Sequence, residues 1–178
     1  MEGFCPFTWG AGVTGTPSNY RGQGFSPRGD KNRFVLPTAF RSAIREASGG
    51  QPILCLDKHH NFNCLVGFGL SRVDTFADVL DREEVNAIKQ GTPFDRDTRS
   101  GQLYAYYDVG FDDSGRFILG DSIAEQAKIT DALYFNGGGE LITIWAPEEL
   151  FKMDAGWDSA KAKCRALMSE AAAKAKRK

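Results

Sequence analysis

The sequence predicts an α+β protein, rich in β-structure, that is built from two tandem copies of one half-barrel unit. The first observation is a doubled motif, because residues 30–37 (DKNRFVLP) reappear as residues 113–120 (DSGRFILG). The second is that Arg33 and Arg116 follow equivalent polar turns and lie 83 residues apart. The third is that a helical pattern, an apolar hairpin and a further helix follow each copy. Such self-similarity decides the fold, since each copy is one supersecondary unit.

The first unit is expected over residues 20–80, after a disordered leader at residues 1–19 that is rich in Gly, Thr, Pro and Ser. Its predicted elements are strands at 20–25 and 34–36, a helix at 38–47, a hairpin of strands 53–56 and 64–68 around a turn at 57–61, and a helix that starts at Ser71 or Asp74. Thr38 is the predicted N-cap of the first helix. Phe40 and Ile44 stand four residues apart on its apolar face.

A helical linker at residues 81–101 leads to the second unit, which is expected over residues 102–153. Its predicted elements are a strand at 103–111, the motif strand after Arg116, a helix at 122–128, strands at 132–135 and 141–145, and a helix that begins with Pro147. Ser122 and Glu125 have capping-box spacing, and residues 136–139 (NGGG) predict a hairpin turn. Residues 154–178 are expected to form a basic C-terminal helix or tail.

Composition excludes several classes of protein. The chain has 178 residues, is 42% hydrophobic and 25% charged, and carries a net charge of −1, as an ordinary globular protein does. No apolar run is long enough to span a bilayer, so no membrane partner is expected. Four cysteines without CxxC spacing favour buried thiols in a reducing cytoplasm over disulfides or a metal site. His59 and His60 fall in a predicted turn and are interpreted as polar turn residues, not as metal ligands.

The sequence contains no constellation that indicates an enzyme. A phosphate-binding Walker loop, a Gly-x-Ser-x-Gly elbow and a Cys–His pairing are all missing from the chain. We therefore expect no catalytic residues, no cofactor, no metal and no small-molecule substrate.

Charge is unevenly distributed along the chain. Residues 21–45 contain six basic side chains against one acid, and residues 161–178 contain seven against one, whereas residues 46–160 contain nine basic and twenty acidic ones. This asymmetry is typical of a protein that meets a polyanion with one face. The alternative is a solvated surface followed by a basic tail.

The doubled Asp-x-x-Gly-Arg pattern, with three apolar residues and Pro after it, resembles the MraZ proteins, which are bacterial transcriptional regulators of the division and cell-wall gene cluster. Residues 112–119 (DDSGRFIL), 144–150 (IWAPEEL) and 30–41 (DKNRFVLPTAFR) carry the resemblance, which covers roughly residues 20–153. The family belongs to the AbrB-like swapped-hairpin superfamily. The resemblance implies that both repeats contribute strands to one shared barrel, so that a single chain forms a pseudo-dimer with flanking helices.

The resemblance also implies a function. It indicates a transcriptional regulator, specifically a repressor, that is located in the cytoplasm at the nucleoid. This regulator is expected to bind double-stranded promoter DNA that carries tandem short repeats. It further implies a ring-shaped homo-oligomer, in which several basic faces act together. The runner-up is an oligomeric interaction module that has lost specific DNA binding, and the altered first motif and neutral overall charge favour it.

Three positions depart from the family pattern. Asn32 stands where the family has Gly, Gly29 stands where a turn-locking Asp is expected, and Gly120 replaces the second Pro. Asn tolerates the left-handed conformation, so the first turn can form, but these departures predict that it is looser than is usual in the family.

The two copies are predicted to have different roles. In the first, Arg33 and Arg41 are the leading candidates for contacts to DNA, with Lys31 and Arg28 as phosphate contacts. The alternative is that all four are solvated surface charges. In the second, Asp112 is expected to accept hydrogen bonds from the turn or to pair with Arg116. We therefore interpret Asp30, Asp112, Gly115 and Arg116 as structural residues of the motif.

Overall fold

The computed structural model describes residues 19–177 and shows a mixed α+β fold around a mainly antiparallel sheet. The expected leader at 1–19 lies, except for Asn19, outside the described residues. The strands are β1 Gln23–Pro27, β2 Arg33–Val35, β3 Ile53–Lys58, β4 Leu65–Phe68, β5 Tyr107–Gly110, β6 Arg116–Ile118, β7 Ala132–Gly137 and β8 Ile142–Trp145. The helices are α1 Thr38–Ala47, α2 Phe76–Gln90, α3 Arg96–Leu103, α4 Asp121–Gln126, α5 Pro147–Phe151 and α6 Asp158–Ala175.

Six strands form one sheet in the order β1-β7-β8-β4-β3-β5, and β2 and β6 form a separate two-stranded ribbon. The edge strands pair with strands that are distant in the sequence. Strand β1 of the first repeat pairs with β7 of the second, and β5 of the second pairs with β3 of the first, both antiparallel. Strands β4 and β8 pair at the centre of the sheet. The described strands form no closed barrel.

Apolar periodicity explains the elements that cover this sheet. In α1, Phe40, Ile44 and Ala47 recur at helical spacing and are buried. Every residue of β4 is buried, as expected for a central strand. A main core lies between the large sheet, the ribbon and the short helices, and a smaller aromatic cluster around Trp145 lies under α5 and α6.

Several predictions about element ends are wrong. Helix α4 begins at Asp121 after Gly120, with no side-chain cap, so the Ser122–Glu125 capping box does not form. Thr38 is the first residue of α1 and not its N-cap, because Pro37 precedes the helix. A 3₁₀ turn at Leu70–Thr75 precedes α2, which begins at Phe76 rather than at Ser71 or Asp74.

Other differences arise at turns. The strand expected at 103–111 is shorter, because Leu103 ends α3 and Tyr104 caps it, and only Tyr107–Gly110 pairs with β3. Helix α3 instead has its own cap, because the Asp95 carboxylate accepts from the Thr98 amide at 3.1 Å. The predicted hairpin is present, but its turn lies at 138–141 rather than 136–139, because Asn136 and Gly137 still pair within β7, and Gly139 adopts a left-handed conformation with φ of 85°.

Candidate nucleic-acid interface

The ribbon of β2 and β6 presents a mixed basic and aliphatic face to solvent. Its three cross-strand pairs join Arg33 to Ile118, Phe34 to Phe117 and Val35 to Arg116. The central phenylalanines point inward, with ring centroids 6.2 Å apart and 2% of each side chain exposed. Because side chains alternate along a strand, the four remaining residues lie on the outer face, where Ile118 is 58% exposed.

Asp112 locks the turn before β6. Its carboxylate accepts hydrogen bonds from the backbone N–H groups of Ser114 and Arg116, both at 2.9 Å, and from Arg116 Nε at 2.6 Å. The backbone N–H of Arg116, with its side chain, holds the pKa of Asp112 below its usual value. Both contacts expected from the sequence are therefore present, and the Arg116 guanidinium is committed to this turn.

The turn before β2 is built differently. Gly29 has no side chain to play the part of Asp112, and Lys31 and Asn32 both adopt left-handed conformations, with φ of 57° and 56°. Instead, the Asn32 side chain accepts from Arg28 and donates to the Asp121 carboxylate of the second repeat. Arg28 also donates to the Thr130 carbonyl at 3.1 Å. The first turn is thus held by hydrogen bonds to Asp121 and Thr130, which belong to the second repeat.

Each turn also supports the strand end of the other repeat. The Leu36 amide donates to the Gly115 carbonyl at 2.7 Å, and the Leu119 amide donates to the Asn32 carbonyl at 3.0 Å. Leu36 and Leu119 occupy equivalent positions of the two motifs and are almost fully buried. The reciprocal bonds fix both turns at the ends of one ribbon.

Arg41 and Arg45 of α1 hold the second turn in place. Arg41 Nε donates to the Leu36 carbonyl at 2.7 Å and lies directly over Gly115. A Cβ added at Gly115, whose φ is 80°, would come 2.3 Å from Arg41 Nε and 2.6 Å from the Leu36 oxygen. Arg45 pairs with Asp113 at 2.9 Å, and its guanidinium lies 5.4 Å from the centre of the Phe111 ring.

The four basic residues that were candidates for DNA contacts therefore divide into two pairs. Lys31 and Arg33 are exposed and form no ion pair or side-chain hydrogen bond with any other residue in the described range 19–177. Arg28 and Arg41 form the intramolecular bonds given above. The bonding of Asn32 and the pairing of Arg45 with Asp113 were missed by sequence reasoning. The one sequence signal for these contacts is the four-residue spacing of Arg41 and Arg45, which places both on one helix face beside the apolar face of α1.

Charge around the ribbon differs between its two ends. A shallow depression beside β6 is lined by Arg33 and Arg116 together with Asp108 and Asp112. Asp113 adds a third carboxylate at this end, next to Arg45. At the other end, Arg28 and Asn32 line a second depression together with Asp121, Glu125 and Lys128. Because an anionic ligand is attracted by unpaired cations, we take Lys31 and Arg33, which form no ion pair within residues 19–177, as the groups of this surface that can attract one.

The histidines and cysteines lie away from this surface. His59 and His60 stack at 4.8 Å, and His59 Nδ1 accepts from the backbone N–H groups of Asn61 and Phe62. Burial lowers the pKa of His59, which favours the neutral ring. Cys55, Cys64 and Cys164 are free buried thiols, and Cys5 lies outside the described residues. No group of three or more potential metal ligands occurs among the residues that the structure describes.

Similar proteins were found by sequence comparison. The chain is 31% identical over 119 residues to the transcriptional regulator MraZ of Gluconacetobacter diazotrophicus. The matched segment covers 66% of this chain and 72% of that protein. It is 31% identical over 122 residues to the MraZ of Gluconobacter oxydans, covering 66% and 70%. It is 29% identical over 133 residues to the MraZ of Parvibaculum lavamentivorans, covering 73% and 77%.

No protein-family profile matches the chain. None of the described helices is long and apolar enough to cross a membrane. The relatives carry the name of regulators rather than of enzymes, which supports the expectation that the chain has no catalytic site.

Proposed function

The chain belongs to the MraZ family, and on this premise we propose that it is a transcriptional regulator that binds double-stranded promoter DNA. The observation that carries the proposal is the outer face of the β2–β6 ribbon, where Arg33 is exposed and unpaired next to Lys31. A two-stranded ribbon fits the major groove of B-DNA, and arginine can donate two hydrogen bonds to the O6 and N7 atoms of one guanine. Arg33 is therefore the proposed base-reading residue.

The neighbouring basic residues have supporting roles in this proposal. Lys31 contacts a phosphate, and Arg28, which is exposed and keeps the first turn attached to Thr130, contacts the next phosphate along the groove. Arg41 uses Nε on the Leu36 carbonyl, and its terminal guanidinium nitrogens form no hydrogen bond with the residues of the described range. Arg41 thus positions the second turn through its contact with Gly115, and its terminal guanidinium nitrogens are the atoms available to contact DNA.

The exchange of strands supports a pseudo-dimeric architecture of the AbrB-like kind. Pairing of β1 with β7 and of β5 with β3 makes each repeat, residues 20–80 and 102–153, depend on the other for its edge strand. In this proposal residues 81–101 are the helical linker and residues 154–178 a basic appendage. Neither repeat would then fold as an independent domain.

A single face of this size binds weakly at physiological salt, because few phosphates are neutralised. We propose that several copies of the chain associate into a ring-shaped homo-oligomer and act as a repressor on tandem short repeats, as the family resemblance implies for the division and cell-wall cluster. Linking several faces raises avidity by roughly 10²–10⁴ without new contacts. The proposed location is the cytoplasm, at the nucleoid.

Two matched variants test the proposal. Arg33→Ala should weaken binding to DNA from upstream of the protein's own gene by about 10-fold to 100-fold, since one bidentate base contact contributes about 1–3 kcal/mol of discrimination. Its melting temperature should stay unchanged, because Arg33 bonds to no described side chain. Arg116→Ala should lower the melting temperature, because it removes the partner of Asp112, and should affect DNA binding less. Fluorescence anisotropy with a shuffled duplex as control gives the affinities.

A melting temperature that stayed constant in Arg116→Ala together with a loss of DNA binding would reverse these roles. Absence of binding to either duplex, even at low salt, would overturn the DNA-binding proposal. It would favour the second candidate, an interaction module that docks a partner protein. The exposure of Ile118, together with that of Val35 at 38%, supports this alternative, since both aliphatic residues lie on the outer face of the ribbon.

A further inference from the structure

Helix α6 is packed onto the body of the protein and is not a free tail. Ala160, Cys164, Leu167 and Ala171 recur at spacings of four, three and four residues, which places them on one face of the helix. Cys164 is fully buried in the cluster with Trp145, and Leu167 packs against the same cluster. This packing fixes α6 against the body of the protein, so the residues of its last turns lie at a fixed place next to the neighbouring elements.

The last turns of α6 lie beside β1. Phe25 and Pro27 of β1 line one shallow groove together with Leu167, Ala171 and Lys174. Because Gly24 and Ser26 point into the core, the alternate residues Phe25 and Pro27 face the helix. Pro27 is followed directly by Arg28, so α6 ends next to the segment that leads into the first turn of the ribbon.

The basic residues of α6 and of the turn that follows it differ in their contacts. Two of those near its start are engaged, since Lys161 bonds to the Asp154 carbonyl and the Asp158 carboxylate, both at 3.0 Å, and Arg165 stacks over the Phe151 ring, whereas Lys163 is exposed. Those at its end have no such partners. Lys174, Lys176 and Arg177 are exposed and bond to no side chain of residues 19–177, and the nearest acid in the sequence is Glu170.

We propose that the C-terminal end of α6 is a second DNA-contacting surface, in which Lys174, Lys176 and Arg177 bind backbone phosphates next to those bound by the first turn. This inference rests on the proposed DNA-binding function and adds a segment that lies beyond the two repeats. Three exposed cations, one in the last turn of a packed helix and two in the turn directly after it, bind phosphate regardless of base sequence. The expected result is stronger binding to every duplex, with no change in the preference for one sequence.

A charge-matched pair of double variants tests this inference in the full chain. Lys174→Gln/Arg177→Gln removes one lysine and one arginine from the end of α6. Arg82→Gln/Lys89→Gln removes the same charges from α2, where both residues are exposed and unpaired within the described range. Affinity is measured by anisotropy against native and shuffled duplexes across a salt series. Circular dichroism checks that helix content is unchanged.

We expect the α6 variant to reduce the slope of log K against log salt by about 2, since each lost phosphate contact removes about 0.9. Its affinity should fall equally for native and shuffled DNA, and the α2 variant should match the wild type. If the α6 and α2 variants gave the same slope while the native duplex stayed preferred, the inference would be wrong and the proposed function would stand. Failure of the wild type to bind either duplex would overturn both, whereas loss of binding only in Arg33→Ala would support the function alone.

Discussion

The turn before β2 and the turn before β6 end at equivalent arginines, and in both the backbone N–H four residues before the arginine donates to its carbonyl. They are held by different means. In the second turn, the Asp112 carboxylate belongs to the turn itself and accepts hydrogen bonds from two backbone N–H groups and from the Arg116 side chain. In the first, Asn32 bonds outward to Arg28 and Asp121. The first turn has Gly29 in place of this aspartate and is held by Asn32 instead. Arg33 therefore has no carboxylate partner among the described residues.

The comparison shows how a duplicated motif can divide its tasks. A turn that fixes itself with an aspartate also pairs its own arginine with that carboxylate. A turn supported by its neighbour keeps an arginine that is available to an anionic ligand. In this protein the second repeat supplies Asp121 and Thr130 to hold the first turn, and α1 supplies Arg41 and Arg45 to hold the second.

The largest effect is expected in the shared core below the ribbon, where the two repeats should behave alike. Phe34→Ala and Phe117→Ala should each lower the free energy of unfolding by about 3–5 kcal/mol, because each removes a buried ring from the same contact. Urea denaturation measures both values. A difference of several kcal/mol between the two variants would show that the asymmetry of the surface extends into the core.

A smaller, unequal effect is expected at the left-handed position of each turn. Gly115→Ala should cost about 2–4 kcal/mol, since it combines a positive φ with overlap against the Leu36 carbonyl and Arg41. Asn32→Ala should cost only about 1 kcal/mol, because Asn already carries a Cβ there and the variant loses solvent-accessible hydrogen bonds. Thermal unfolding of the two proteins gives the comparison. Equal losses would mean that Arg41 moves aside without cost.

The doubled motif made much of this predictable. Local patterns placed α1, the two hairpins and the second turn, since an Asp four residues before an Arg is within reach of the backbone of its own turn and of that Arg. The bonding of Asn32 could not be predicted, because its partner Asp121 is 89 residues away. Arg41 was interpreted as a DNA contact from its charge alone, and its bond to the Leu36 carbonyl depends on how the chain returns over Gly115. The start of α4 was misplaced because Asp121, just before the expected capping serine, already belongs to the helix.

The smallest expected effect is a pH dependence that separates the two turns. Hydrogen bonds hold the pKa of Asp112 below its ordinary value, so its contribution to stability is present above the ordinary carboxyl pKa of about 3.9 and is lost as the pH falls through the lower, folded-state pKa. The melting temperature of Asp112→Asn should therefore lie below that of the wild type near neutral pH, and the difference should shrink in acid. Asp30→Asn is the matched control from the first turn, where the carboxylate bonds to no described side chain, and its melting temperature should equal that of the wild type near neutral pH. A difference for Asp112→Asn that stayed constant into strong acid would show that shape rather than charge locks the second turn.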